Sequence, residues 1–370
     1  MTAFPGDMFL RDYLAVTTEE YSSSSIAKPY ARVNKIDSGE LKFSFFRLSV
    51  AAAKSILTST PQSKTAWKQV RASFYNLDSI VEHASLNLRL TNGFRREYRD
   101  FSKTSRTGEL AQAITFLLAQ DALMYPVVMD FDGYLSSQGI PAIPSDEKTP
   151  DYALLFGKGT SHLSLIESKG SCPDTNIHQP KGPLSKALKQ CESADNHIYS
   201  AARYRARNTY GTHVRFSESL DSWDTVAAFC DPEEPAANEL LDPMGALRHY
   251  YSAWFVLGGY FRHAGLVARG ELTDMDVKRW GTLTYQGHEY LIPDAQTSST
   301  MFTPFLAFRS LADQPNIPKG WAIHAKLIYA IMREDISAVH DLFSQGSEAQ
   351  TDFEKKIVTF RDFTLCFWGD

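Results

Sequence analysis

Residues 149–170 constrain this chain more than any other stretch. They read Thr-Pro-Asp-Tyr-Ala-Leu-Leu-Phe, then a short polar turn, then His-Leu-Ser-Leu-Ile-Glu-Ser-Lys-Gly. Each half is an apolar run of strand length. The separation of sixteen residues between Asp151 and Glu167 is what one tight hairpin needs. Asp151 opens the first run, and Glu167 and Lys169 end the second. Glu167 and Lys169 are two apart, so on a strand they share a face, and Asp151 on the neighbouring strand can join them. Apolar residues flank each acid, where a solvated charge run would have polar neighbours. Two carboxylates and an ammonium on one face suit a hard cation, which prefers oxygen ligands, and a polyanion.

The surroundings extend the pattern. Residues 109–124 are rich in Ala, Leu, Gln and Ile without Pro, which predicts a helix with Thr107 as its N-cap and Pro126 beyond its end. Val127, Val128 and Met129 read as a strand. Residues 184–199 read as a second helix containing Gln190, and residues 223–230 as a further strand. The order is helix, strand, strand, strand, helix, strand.

With Pro150-Asp151 and Glu167-Ser168-Lys169, this order resembles the PD-(D/E)XK nuclease superfamily over residues 105–232, about a third of the chain. The resemblance implies an α/β (α+β) fold with a restriction-endonuclease-like core, a central mixed sheet flanked by helices. It implies Mg2+ as cofactor, with Mn2+ as a substitute. Asp151 and Glu167 would bind the metal directly, the Ser168 carbonyl would be a third ligand, and Glu109 would act through a bound water. Lys169 would orient or acidify the attacking water, and Gln190 would orient Lys169 or the scissile phosphate. The implied activity is hydrolysis of phosphodiester bonds in nucleic acid, DNA before RNA and endonucleolytic, in restriction or antiphage defence. The alternative is a catalytically weak nucleic-acid-binding or interaction subunit of a defence or repair complex.

Three regions are expected: residues 1–104, helical and basic; residues 105–235, the core; and residues 236–370, aromatic-rich and mostly helical. Residues 1–108 hold 16 Lys and Arg against 10 Asp and Glu, whereas residues 109–370 hold 22 against 33. A chain of net charge −5 can still bind a polyanion through one basic face, because phosphate contacts are local. Residues 89–106 interleave Arg89, Arg95, Arg96, Arg99, Lys103 and Arg106 with Phe94, Tyr98 and Phe101, and residues 200–215 repeat that mixture. Basic and aromatic side chains together grip phosphate and stack on bases, and solvated helix faces account for both stretches equally well.

Residues 1–30 read as loop or a docked arm. Residues 41–50 fit a strand, and from Leu48 a helix start. Residues 64–90 carry a helical stripe including Trp67, Val70, Phe74, Leu77 and Val81. Residues 130–148 read as a long loop with Asp130 and Asp132 in turn roles, and residues 171–183 as a second loop, from which His178, Lys181 and Lys186 reach toward phosphate. Residues 238–269 read as one or two helices, bent at Gly258-Gly259, whose aromatic density means burial or an interface, such as that of a homodimer or defence-complex partner. Strands are expected over 285–292 and 357–361, and a helix over 322–332.

Several classes are disfavoured. No run of eighteen apolar residues predicts a membrane span. The N-terminus lacks a signal pattern, which favours the cytoplasm. Cys172, Cys191, Cys230 and Cys366 form no C-x-x-C pair, so structural zinc is not expected. There is no phosphate-binding glycine loop and no G-x-S-x-G elbow.

Overall fold

Seven strands form one mixed sheet: β1 (Tyr13–Ser23), β2 (Val33–Ser44), β3 (Val127–Asp130), β4 (Tyr152–Leu155), β5 (Leu163–Ser171), β6 (Asn208–Arg215) and β7 (Val226–Pro232), in the order β2-β1-β7-β6-β5-β4-β3. The structure is a computed structural model that describes residues 13–23, 33–55, 76–144, 147–176, 179–232, 242–293 and 320–367. β3, β4 and β5 form an antiparallel meander, and β6 runs parallel to β5. Because a parallel step needs a crossover, the chain between β5 and β6 carries a long helix, Lys181–Ala202. β4 and the first six residues of β5 are buried, and in β5 that burial extends to Ser164, Glu167 and Ser168.

Among the described residues the helices longer than four residues are α1 (Phe45–Ser55), α2 (Asp100–Asp121), α3 (Phe131–Ser137), α4 (Lys181–Ala202), α5 (Pro243–Leu257), α6 (Phe261–Arg269), α7 (Ala325–Met332) and α8 (Ile336–Gln345). α2 begins well before the expected start. Asp100 sits in its first turn, where the helix dipole favours an acid, and pairs with Lys103 at 2.8 Å. Thr107 is therefore not a cap. It is buried inside the helix, and its hydroxyl donates to Lys103 O at 2.9 Å. α2 lies close against β5: a Cβ on Gly170 would come within 2.2 Å of Thr107 O.

Other expectations change too. Residues 13–23 form a strand, because Leu14, Val16 and Thr18 alternate into the core. β1 pairs antiparallel with β2 and parallel with β7, so the N-terminal region contributes strands to the main sheet instead of a mainly helical addition. Residues 33–55 hold both a strand and a helix, changing at Ser44 and Phe45. The strand that follows α4 is β6, not residues 223–230. Those residues overlap β7, which lies antiparallel beyond β6. The presumed loop after β3 contains α3, capped by Asp130, whose carboxylate accepts from Gly133 N at 2.8 Å. Residues 64–75 of the stripe, including Trp67, Val70 and Phe74, lie outside the described residues, as does His178.

The C-terminal region is mixed. Its sheet has the order β11-β12-β13-β10-β9-β8, from β8 (Gly281–Tyr285), β9 (His288–Ile292), β10 (Gly320–His324), β11 (Thr351–Asp352), β12 (Ile357–Thr359) and β13 (Thr364–Phe367). The expected helix over 322–332 is thus strand β10 followed by α7. Between α5 and α6 the chain turns at Gly258-Gly259, with Gly259 at φ 81°. Tyr250, Tyr251, Trp254 and Phe255 of α5 are buried and belong to the same core as the main sheet. Lys54 of α1 enters that core too. Its ammonium lies 3.5 Å from the Tyr250 ring centroid, 3.9 Å from that of Trp254 and 3.4 Å from Asp362 Oδ2.

Candidate active site

The β4–β5 ladder pairs Tyr152 with Ile166. One step further along the same register, Asp151 stands opposite Glu167. Directly opposed residues of an antiparallel pair carry their Cβ atoms about 5 Å apart on one face. The two carboxyls are close enough for the Asp151 charge to bear on Glu167. Glu167 is 3 % exposed. Burial foremost, then the neighbouring Asp151, pushes the Glu167 carboxyl up to about 8, against the pull of Lys169. Asp151 is also raised by burial, against hydrogen bonds from Ser168 N and Gln112. Burial thus pushes both carboxyls toward their neutral forms, and the Asp151 charge adds to that push on Glu167.

Lys169, two residues along β5, donates to Glu167 Oε1 and, at 2.5 Å, to Gln190 Oε1. Gln190 in turn donates to Thr149 O at 3.1 Å, tying α4 to the segment before Asp151. Gly211 explains how α4 comes so close. It is in register with Glu167 across the β5–β6 pair, and a Cβ there would lie 3.0 Å from Leu184 O and 3.2 Å from Ala187 Cβ. A bare backbone beside Glu167 thus lets α4 seat against the sheet and deliver Gln190.

The opposite face of β5 belongs to α2. Thr115 Oγ1 lies 3.0 Å from Ser168 Oγ and 2.8 Å from Thr212 Oγ1, and Thr212 also donates to Glu167 O at 3.0 Å. This buried hydroxyl chain holds the β5 backbone beneath the acids. Gln112 Nε2 donates to Asp151 Oδ1 at 2.6 Å, and Ser168 N donates to Asp151 Oδ2 at 2.7 Å. Both Asp151 oxygens are therefore oriented. Gln112 and the threonines are absent from the sequence-based set of site residues. Gln112 does have a signal, since it is an amide one turn after Glu109 set among Leu110, Ala111, Ala113 and Ile114.

Of the expected site residues, Asp151, Glu167, Ser168, Lys169 and Gln190 are brought together. Glu109 is not joined to them: its Oε1 meets Ser105 Oγ at 3.3 Å on its own helix, and its side chain is partly exposed. On α2 it is Gln112, not Glu109, that lies against Asp151. Among the described residues no three His, Cys, Asp or Glu side chains gather for a metal ion. The donor set still fits a hard divalent cation. It offers two carboxylates and the Ser168 backbone, whose N–H already points at Asp151; in such a ladder a residue's carbonyl points to the same neighbour. Glu167 Oε2 is buried and receives no hydrogen bond among the described residues, a lone acceptor that a cation would satisfy.

The basic stretches divide between internal pairing and exposure. Arg89 pairs with Asp224 at 2.6 Å and Arg95 with Asp221 at 2.5 Å, so these two serve the fold. Arg205 pairs with Asp195 and lies 4.1 Å from the Tyr199 ring centroid. Arg96 and Arg99, before α2, and Phe101 in its first turn are exposed. Lys181 and Lys186 are exposed on the first turns of α4, and Lys186 lies one turn before Gln190, on the same side of the helix.

No helix among the described residues is long and apolar enough to cross a membrane. Comparison with protein-family models, with curated proteins and with solved structures returns no match for this chain.

Proposed function

We propose that this protein is a divalent-metal-dependent phosphodiester hydrolase of nucleic acid, DNA before RNA, whose residues 105–235 form a restriction-endonuclease-like core. The observation that carries this reading is the buried Asp151–Glu167 carboxyl pair with Lys169 bonded to Glu167. A buried like-charge pair costs stability unless something offsets it, and such perturbed groups concentrate at functional sites. The connectivity supports the reading: helix, antiparallel meander, helix and a strand parallel to the third.

Asp151 and Glu167, with the Ser168 carbonyl, would hold Mg2+ or Mn2+. When bound, that ion supplies Lewis-acid polarisation of a phosphoryl oxygen. Gln112 and Ser168 N orient Asp151. Lys169, steadied by Gln190, hydrogen-bonds the attacking water and faces the charge that develops on the phosphoryl oxygens. The water oxygen bonds to phosphorus as the P–O bond to the leaving oxygen breaks; the water's proton passes to solvent, and the leaving oxygen takes one back. Arg96, Arg99, Lys181 and Lys186 offer the phosphate contacts, and Phe101 a stacking surface.

The test is cleavage of supercoiled and linear plasmid with Mg2+, Mn2+ or EDTA, by wild type, Glu167→Ala and Lys169→Ala. Cleavage by wild type with metal alone, lost in both variants, supports the reading. Equal activity in all three proteins overturns it. A binding role without cleavage is the second reading, favoured by Glu109 standing apart from the acid pair. It predicts retention of labelled DNA by wild type with no strand scission under any metal.

A further inference from the structure

A cavity of about 640 Å³ opens at the other end of the central strands from the acid pair. Its volume falls in the range of roughly 300–1,000 Å³ typical of small-molecule sites. The wall includes His162 just before β5 and Asn208 at the start of β6, whereas Glu167 and Lys169 lie further along β5. Five residues of strand separate His162 from Glu167, on the order of 16 Å. The cavity is therefore a second site. It lies between the sheet and the C-terminal region, whose Phe343–Glu348 segment and Arg361 close one side.

Its chemistry is uneven in an informative way. Three cations line it: Lys158, which is exposed, Arg207, which is half-buried, and Arg361, which is half-buried and lies 3.8 Å from Asp121 Oδ1. Glu20 and Glu348 are the acids of the wall, so cations outnumber them. The inner wall is aromatic, with Tyr125, Tyr210 and Phe229 each less than a tenth exposed. Beside Tyr210 sits Asn208, 5 % exposed. Its Nδ2 donates to Tyr210 OH at 2.8 Å, and Tyr210 OH is 3.2 Å from Tyr125 OH. That leaves Asn208 Oδ1 buried and without a hydrogen-bond donor among the described residues. A buried amide oxygen with no donor is costly in a fold and usually has an explanation.

The backbone of the wall is also unusual. Met124 (φ 63°) and Lys158 (φ 54°) hold left-handed conformations that side-chain-bearing residues seldom adopt. Such outliers persist where the surroundings impose them, often at ligand sites. Gly157 lets the β4–β5 turn close onto Tyr125, whose ring would lie 2.5 Å from any Cβ at that position.

We propose that this cavity binds a nucleoside phosphate. The cations would hold the phosphate, the aromatic wall would face the base, and Asn208 Oδ1 would accept a hydrogen bond from an exocyclic amino group. Asparagine is a common reader of such groups, and aromatic rings are the usual stacking partners of bases. The site is independent of the acid pair and needs no divalent ion.

Isothermal titration of the full chain in excess EDTA tests this, with AMP, CMP, GMP, UMP, adenosine and inorganic phosphate as probes. EDTA keeps metal from the acid pair. At least one of AMP, CMP and GMP is expected to bind about tenfold tighter than UMP, which lacks the amino group, and tighter than phosphate or adenosine. Asn208→Ala is expected to abolish the preference over UMP. Lys158→Ala with Arg207→Gln is expected to weaken all nucleotides about tenfold or more. Melting curves check that each variant folds; if Asn208→Ala does not, the cation double variant and the UMP comparison decide. Glu167→Gln is expected to bind as wild type does. No nucleotide binding, binding of inorganic phosphate alone, or binding lost only in Glu167→Gln overturns the proposal. That last outcome would move the nucleotide to the acid pair and leave the hydrolase reading intact.

Discussion

Gln112 Nε2 reaches across from α2 to Asp151 Oδ1 at 2.6 Å, and this one contact couples a helix of the main sheet's flank to the acid pair. Gln112 touches no substrate in the proposed reaction; it positions a ligand. Gln112→Leu is expected to weaken Mn2+ binding about tenfold, because partners that orient metal ligands typically contribute 10–100-fold. Cleavage by this variant recovers at saturating Mn2+. Calorimetric metal titration alongside activity against Mn2+ concentration checks this; an unchanged metal affinity would argue against the positioning role.

Lys169 separates chemistry from binding. Lys169→Met should retain metal affinity and lose about 100-fold or more in cleavage rate, the scale on which a single electrostatic group supports a transition state. Lys169→Arg, which keeps the charge, should recover part of that loss. Single-turnover cleavage with metal titration reads both quantities.

Two glycines of one helix–strand contact should respond oppositely. In Gly170→Ala the new methyl would meet the Thr107 carbonyl at 2.2 Å, so α2 or β5 must move, at a cost of about 2 kcal/mol or more. Gly108→Ala meets nothing within 4 Å in mid-helix and should stabilise by about 0.5–1 kcal/mol through helix propensity. Urea unfolding of both variants provides the comparison. If Gly170→Ala is neutral, the α2–β5 approach is looser than described.

Much of the neighbourhood of the acids is legible in the residues, for identifiable reasons. β4 and β5 are short apolar runs ended by charge, and α2 and α4 are long periodic segments, so local composition is decisive there. β1 is not legible, because its alternation carries only Leu14 and Val16 as apolar positions before Thr17, Thr18, Glu19 and Glu20, and the strand is stabilised by partners far away in the chain. β6 is hidden by its context: residues 203–207 hold three arginines, which masks a strand whose burial is set by α4 and β7. The Gln112–Asp151 contact depends on the rotational setting of α2, which its packing against β5 and α1 fixes. No local pattern near Glu109 reports that setting.

His324 supplies a pH dependence away from the acids. Burial, then His288 and Lys326, pushes its imidazole down from 6.5 to about 4. The neutral ring is preferred in the fold, so the unfolded chain binds more protons between those two values. Its contribution is complete above about pH 6.5 and is lost as pH falls toward 4, by at most about 1.4 kcal/mol per pH unit. In His324→Phe, which keeps a ring against Tyr290 and Phe363, that slope should flatten. Urea midpoints from pH 7 to 4 measure it; identical slopes would show that other groups dominate.

Asp362 should matter more than the lysine it meets. It receives Tyr250 OH, Thr364 Oγ1 and Lys54 Nζ while fully buried. Asp362→Ala strands all three, at an expected cost of about 3 kcal/mol or more. Lys54→Met leaves the aspartate with its hydroxyl partners and fills similar space, so it should cost less. Melting temperatures of the two variants rank them, and the reverse order would refute this assignment.

The parallel pairing of β1 with β7 has a consequence for shortened chains. With Tyr13–Ser23 in place, Val226–Pro232 is an interior strand of the sheet. Cutting away residues up to 44 would bare its Val-Ala-Ala-Phe-Cys rim, with a row of amides and carbonyls free to recruit a copy. A truncated protein would then fail by self-association, at a concentration the intact chain tolerates.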